Sequence, residues 1–159
     1  MQKRQICEGI KIAHFCWAGV GPQVDRELAF HGATMIRVES HGTPDAIRFS
    51  YPFKDGRPGL NRGPLSTNFQ TNGLNMSLDL SKAKGLEVAH RLIKWAHVMA
   101  EAFTPGTIAK FGLDYESVRK INPSIIYYST CQQGGYGPYA RVGGLGVQGA
   151  AGAGFYSRR

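Results

Sequence analysis

A chain of 159 residues is long enough for one domain with a real core. Its 42% hydrophobic and 19% charged residues are ordinary for a globular protein, and no apolar run reaches the roughly 18 residues of a membrane span. The formal net charge of +8 suits a polyanionic or phosphate-rich partner. The basic residues are scattered, however, with none of the clusters or reading elements that mark nucleic-acid binding. The start, Met1 to Gln5, is polar and basic and leads into no apolar segment, so a secretory signal is not expected. Cys7, Cys16 and Cys131 form no CxxC pair and no metal spacing. They read as reduced thiols of a cytoplasmic protein, acting as small buried hydrophobes.

Ile10–Phe15 predicts a short buried strand, followed by Gly19, Val20, Gly21 and Pro22. Pro22 suits the first residue of a helix, where its missing N–H would lack a partner anyway. Val24 and Leu28 would share one face of that helix, and Gly32 fits a left-handed end. Thr34–Glu39 is the next strand, which completes the strand, turn, helix and strand of a βαβ unit. From Ser40 to Thr71 periodicity disappears, and four prolines mark a long irregular excursion, expected to be functional or mobile.

Asn75–Leu80 predicts a third strand. Ser81 would cap a helix through Trp95 whose residues Leu86, Ala89, Leu92, Ile93 and Ala96 form one apolar stripe. Arg91 and Lys94 fall on its solvated face. Val98–Ala100 is a short strand, and Thr104–Pro105–Gly106 opens a short helix ending near Gly112. Asp114 would cap a helix over Tyr115–Ile121 that Asn122–Pro123 ends. Ser124–Ser129 is a further strand. Gln132 to Gly154 is glycine-rich and fits either a flexible loop or a small-residue helix in close contact with another chain or a ligand. Alternating strands and helices predict an α/β fold, a Rossmann-like, mostly parallel sheet with flanking helices.

Ligands of such sheets bind beyond the carboxyl ends of the strands. Cys16 to Pro22 is therefore a candidate segment, because its glycines admit close approach and a helix start favours an anion. It is not a GxGxxG turn. Glu39 would hold a ribose hydroxyl in a dinucleotide enzyme, but the glycine fingerprint that should accompany it is missing. His14, His31, His41, His90 and His97 share no spacing and read as surface or core residues. Asp45, Asp55, Asp79 and Asp114 read as turn and cap residues. No GxSxG, HExxH or P-loop occurs.

Taken in order, the segments resemble the class III CoA-transferases, the family of formyl-CoA, carnitine and benzylsuccinate CoA-transferases. Glu8–Ile12 resembles the family's L-x-G-I-R-V-L, Gly19–Pro22 its A-G-P turn, and Gly32–Glu39 its G-A-D-V-I-K-V-E. Asn72–Leu80 resembles N-x-x-K-x-S-x-x-L-D-L, and Ala96–Gly106 resembles A-D-V-x-x-E-N-F-x-P-G. Phe111–Glu116, Asn122–Tyr127 and Gly134–Tyr139 resemble L-G-L-G-Y-E, N-P-R-L-I-Y and G-x-x-G-P-Y. The loop from Pro44 to Asn68 is most similar to the aromatic-acid branch, where benzylsuccinate CoA-transferase belongs.

The resemblance implies transfer of CoA between an acyl-CoA, such as succinyl-CoA, and a carboxylic acid. An aspartate attacks the thioester carbonyl, which splits one hard exchange into easier covalent steps. Coenzyme A is substrate, and the resemblance implies no metal, nucleic acid or membrane. Carried over by position, the CoA contacts are Gly19, Val20, Ser40, Leu78, Leu80, Ser81, Ala102, Phe103, Lys110, Val142, Gly143, Gly144 and Leu145. Lys110 would face the phosphates, with a solvated helix lysine as the plainer reading. Homo- or hetero-dimers are implied for full-length members.

Several residues depart from the pattern. Ser40 stands where relatives often carry arginine, Gly73 replaces a lysine, Ala102 an asparagine, and Leu145–Gly146 an aromatic–acid pair. The family's nucleophilic aspartate falls beyond the point matching Arg159, as do the small domain and the carboxyl-terminal segment. Phe155–Arg159 also departs from the usual L-T-G, as a truncated or frameshifted reading frame would. The expectation is one partial CoA-binding domain over residues 1–159, inactive alone. Two alternatives stay open: a non-catalytic CoA-binding or partner subunit, and an NAD-dependent oxidoreductase.

Overall fold

A computed structural model describes residues 4–156. The first part of the polar start and the residues Ser157, Arg158 and Arg159 of the departing end lie outside the described residues. Five strands form one sheet: β1 (Lys11–Phe15), β2 (Thr34–Glu39), β3 (Leu74–Ser77), β4 (Val98–Glu101) and β5 (Ile126–Ser129). Their order is β3-β2-β1-β4-β5, and every pair is parallel. Helices α1 (Val20–Phe30), α2 (Pro64–Phe69), α3 (Ala83–Trp95), α4 (Tyr115–Ile121) and α5 (Gly146–Gly152) alternate with them. Among the described residues no helix is long and apolar enough to cross a membrane.

Parallel sheets are covered on both faces, so their central strands carry almost unbroken apolar runs. β1 and β4 do so, and from Ile12 to Phe15 and from Val98 to Glu101 every residue is buried. Alternation along the strands splits the core in two. Ala13, Phe15, Val38 and Met99 pack with Ala89, Leu92 and Ile93 of α3 and Val118 of α4. Ile12, Met35 and Val98 pack on the other face with Ala29 of α1. The predicted stripe of α3 is the buried one, and Arg91 and Lys94 are exposed. Its last carbonyls are satisfied from outside, since Asn122 Nδ2 donates to Ile93 and Ala96 oxygens at 3.0 and 2.8 Å. Asp114 caps α4 by accepting from the Ser117 N–H at 3.2 Å. Gly32, at φ 102°, ends α1, with Ala33 N–H closing back on the Leu28 carbonyl at 3.0 Å.

Three expectations change. First, α1 begins at Val20, so Pro22 is its third residue; helix N–H groups lack partners throughout the first turn, so the proline still fits. Its inner stripe is Gly21, Pro22, Asp25 and Ala29, and Val24 is exposed. Asp25 turns inward because His14 and Tyr128 receive it. Second, β3 stops at Ser77. Asp79 folds the next residues into a turn by accepting from Ser81 N–H and Oγ at 2.9 and 2.7 Å. Ser81 therefore does not cap α3, which starts after Lys82 without a side-chain cap.

Third, the excursion from Ser40 to Thr71 is not structureless. It holds 3-10 turns at Ala46–Phe49 and Lys54–Gly56, and then α2 with Pro64 at its start. Arg48 ties it to the sheet through two hydrogen bonds to Glu39, at 2.6 and 2.8 Å. Burial raises the Glu39 pKa, but the hydrogen bonds from Arg48 and the Asp45 N–H, and the charges of Arg48 and Arg37, outweigh it and hold the carboxyl below its usual 4.5. Of the two readings of the glycine-rich tail, the structure shows the small-residue helix, α5, and no residue of α5 is buried.

Two predictions follow from packing. Ile93→Ala empties a fully buried site and should cost about 2–5 kcal/mol in urea unfolding. Gly85→Ala should also destabilise, although alanine gains about 1 kcal/mol in helix propensity, because its Cβ would overlap the Asp79 carbonyl. A third concerns pH. The depressed Glu39 pKa means its contribution is fully present above about pH 4.5 and is lost as pH falls through the folded value. The stability difference between the native protein and Glu39→Gln should hold constant above that pH and shrink below it, read by denaturation across an acid series.

Candidate functional site

The strand order reverses direction between β1 and β4: the chain runs from β1 outward to β2 and β3, then from β4 outward to β5. Beyond the carboxyl ends of strands at such a point the connecting turns diverge and leave a crevice. The segments arriving there are Cys16–Gly19 after β1, Ser40 after β2, Leu78–Ser81 after β3, Ala102–Phe103 after β4 and Thr130–Gln132 after β5.

Several hollows lie among them, three of which take in the predicted contacts. A cavity of about 530 Å³ is walled by Phe15, Trp17, Leu78, Leu80, Phe103 and Phe111, with Ser40 and Ser81 at its polar edge. A second, of about 340 Å³, lies between Trp17, Gly19 and Val20 on one side and Ala102, Gly144 and Leu145 on the other. A third, of about 80 Å³, includes Val142 and Gly143 together with Ala102 and Phe103. Trp17 lines both larger hollows. Its ring meets Phe103 edge-on, with centroids 5.5 Å apart.

The structure thus gathers Gly19, Val20, Ser40, Leu78, Leu80, Ser81, Ala102, Phe103, Val142, Gly143, Gly144 and Leu145 around adjoining hollows. Lys110 is the exception. It is exposed on the 3-10 turn Ile108–Phe111 and lines none of the three; Thr107 and Phe111 face the crevice instead. The plainer reading of Lys110, a solvated lysine, is the one its position fits. Sequence reasoning did not single out Trp17. It lies within the glycine turn after β1, and nothing local in the sequence sets it apart there.

The turns are fixed by buried polar groups. Glu101, 4% exposed, accepts from the Phe103 N–H at 2.8 Å and sets the bend after β4. Asp45, fully buried, accepts from the Ala18 N–H at 3.0 and 3.2 Å and sets the bend after β1. It also pairs with Arg37 and caps the following 3-10 turn through Ile47 N–H. Asp45 is therefore a cap residue, as its type suggests, but also half of a buried ion pair. Glu39 already accepts three hydrogen bonds, two from Arg48 and one from the Asp45 N–H at 2.9 Å, which leaves it about one acceptor position for a ribose. The start of α1 runs so close to β1 that a Cβ at Gly21 would overlap the Cys16 sulfur.

His14, Cys16 and Asp25 bring metal-ligand atoms within 4.8 Å of one another, all fully buried. Asp25 is bonded to His14 Nδ1 and accepts from the Tyr128 hydroxyl at 2.6 Å. Burial, then the charges of Asp25 and Glu101, push the Cys16 thiol far above its ordinary range, so it stays protonated.

Known proteins share this fold. The profile described as CoA-transferase family III matches residues 7–158. Succinate–glutarate CoA-transferase of Agrobacterium fabrum is 34% identical over 148 residues, covering 91% of this chain and 37% of that protein. Formyl-CoA:oxalate CoA-transferase of Afipia carboxidovorans is 35% identical over 130 residues, covering 82% of this chain and 29% of that one. Among solved structures, a CAIB/BAIF family protein from Brucella suis superposes with a TM-score of 0.82 at 29% identity, over 96% of this chain and 40% of its own. Rv3272 from Mycobacterium tuberculosis, in its orthorhombic form, gives 0.84 at 29% identity, over 98% and 42%. The chain spans less than half the length of each of these relatives, and by its sequence and its fold alike it belongs to CoA-transferase family III.

Proposed function

We propose that the hollows around Trp17 hold coenzyme A, and that the chain supplies the CoA-binding part of an enzyme that moves CoA between a thioester and a carboxylic acid. One observation carries the reading: every position implied by the resemblance except Lys110 lines adjoining hollows at the point where the sheet reverses direction. The walls suit such a ligand. Phe15, Trp17, Leu78, Leu80 and Phe103 offer apolar and aromatic surface for an adenine ring or a pantetheine arm. The start of α1 at Gly19 has no side-chain cap, and an uncapped helix start favours an anionic oxygen. The net charge of +8 favours a ligand bearing several phosphate charges.

An NAD-dependent oxidoreductase fits less well. Both Glu39 oxygens already accept from Arg48, and no GxGxxG precedes α1. No residue of this chain is assigned as the attacking carboxylate. We read the 159-residue chain as binding CoA without transferring it, and as the partner of a second chain in a dimer. The apolar surface left on Ile126, Tyr136 and Phe155, exposed by 64%, 92% and 82%, is consistent with such a partner.

Calorimetric titration should show CoA binding, with NAD unable to displace it. Phe103→Ala removes an aromatic wall and should weaken CoA by about tenfold or more; because Phe103 also packs against the core, it should lower the unfolding midpoint, and affinity is compared where the variant is fully folded. A turnover assay with succinyl-CoA and aromatic acids should give no transfer by the chain alone. Equal affinity for NAD, or transfer by the isolated chain, would overturn the corresponding part of the reading.

A further inference from the structure

We propose that Asp45 is the positioning residue of this site: its carboxylate holds Ala18 in a left-handed turn and so places Trp17 where the two larger hollows meet. The inference rests on the proposed function for its ligand, but its structural half stands on geometry alone.

Ala18 has φ 58°, a region that glycine enters freely and alanine does not. Something must hold it there. The Ala18 N–H points at both Asp45 oxygens, at 3.0 and 3.2 Å. Asp45 has little freedom to move. Its side chain pairs with Arg37 and takes the Ile47 N–H at 3.1 Å, while its own N–H donates to Glu39 at 2.9 Å. Arg37 lies in the middle of β2, level with His14 of β1, so the clamp is anchored to the centre of the sheet. The excursion after β2 thus returns one acidic side chain to the turn after β1, 27 residues back in sequence.

The consequence falls on the next residue. Trp17 precedes the left-handed peptide, lines both larger hollows and packs on Phe103. Phe103 is held in turn by Glu101. If Ala18 relaxed to the right-handed region, the direction of the chain at Trp17 would change, and the wall shared by the two hollows would change with it.

A purely structural role for the Arg37–Asp45 pair is the competing account, and glycine at position 18 separates the two. Arg37→Met/Asp45→Ala replaces the buried pair with apolar groups, which buried pairs often tolerate, and it removes the clamp. CoA affinity, by calorimetry, should fall by about tenfold. Adding Ala18→Gly should restore affinity to within about threefold of the native value, because glycine takes the turn unaided. Trp17 emission, read without ligand in a Trp95→Phe background, should shift in the double variant and return in the triple. Ala18→Val, which keeps the pair but strains the left-handed turn, should shift Trp17 emission without ligand in the same way, and that reading serves if the double variant fails to fold, since Ala18 itself lines the second hollow. Folded variants with unshifted emission, or a triple variant without rescue, would overturn the proposal. If the native protein binds no CoA, the proposed function fails while the emission arm still decides the role of Asp45.

Discussion

The site depends on one constraint: all five strands run the same way, and their connections part between β1 and β4. A parallel sheet gathers its carboxyl ends on one edge, so every turn that leaves a strand opens there. Each turn must then be held against the pull of its own preferences. Buried carboxylates do this, Glu101 at the Phe103 bend and Asp45 at the Ala18 bend. Their cost of burial is offset only because each has backbone N–H or guanidinium partners. The floor of the crevice is a hydrophobic core, and buried carboxylates bonded to backbone N–H groups fix two of the turns at its rim.

Much of the scaffold was legible in the residues. The β-branched runs at Ile10–Phe15 and Thr34–Glu39 announce buried parallel strands, and the stripe from Leu86 to Ala96 announces α3. Asp114 and Gly32 mark helix ends for reasons local to the backbone. What stayed hidden depends on partners far along the chain. Asp25 looks like a solvent residue of an amphipathic helix, until Tyr128 comes to it from 103 residues away. Asp45 looks like a turn residue, because Arg37 and Ala18 cannot be seen beside it. Lys110 was placed by analogy of position; the tight 3-10 turn sends Thr107 and Phe111 inward instead. The end of β3 was missed because Asp79 offers the backbone a turn that competes with the ladder.

Membership in CoA-transferase family III accounts for the architecture of this chain and for the clustering of its strand-end turns. It does not account for every residue in them. Ser40 and Ala102 are smaller or less charged than the arginine and asparagine of the family pattern, and the cavity wall beside them is mostly aromatic and aliphatic. On the proposed reading, recognition of CoA leans on enclosure and backbone donors more than on paired charges. A site of that kind relies on the shape of its turns, which places the burden on the groups that hold Trp17 and Phe103.

The central claim is that these turns form one binding surface for coenzyme A. Amide hydrogen exchange with and without saturating CoA tests it most directly. The account predicts slowed exchange together at Gly19–Gly21, Leu80–Ser81, Phe103 and Gly144–Leu145, with α4 unchanged. Protection confined to one of these turns, or found only away from the carboxyl ends of the strands, would contradict it.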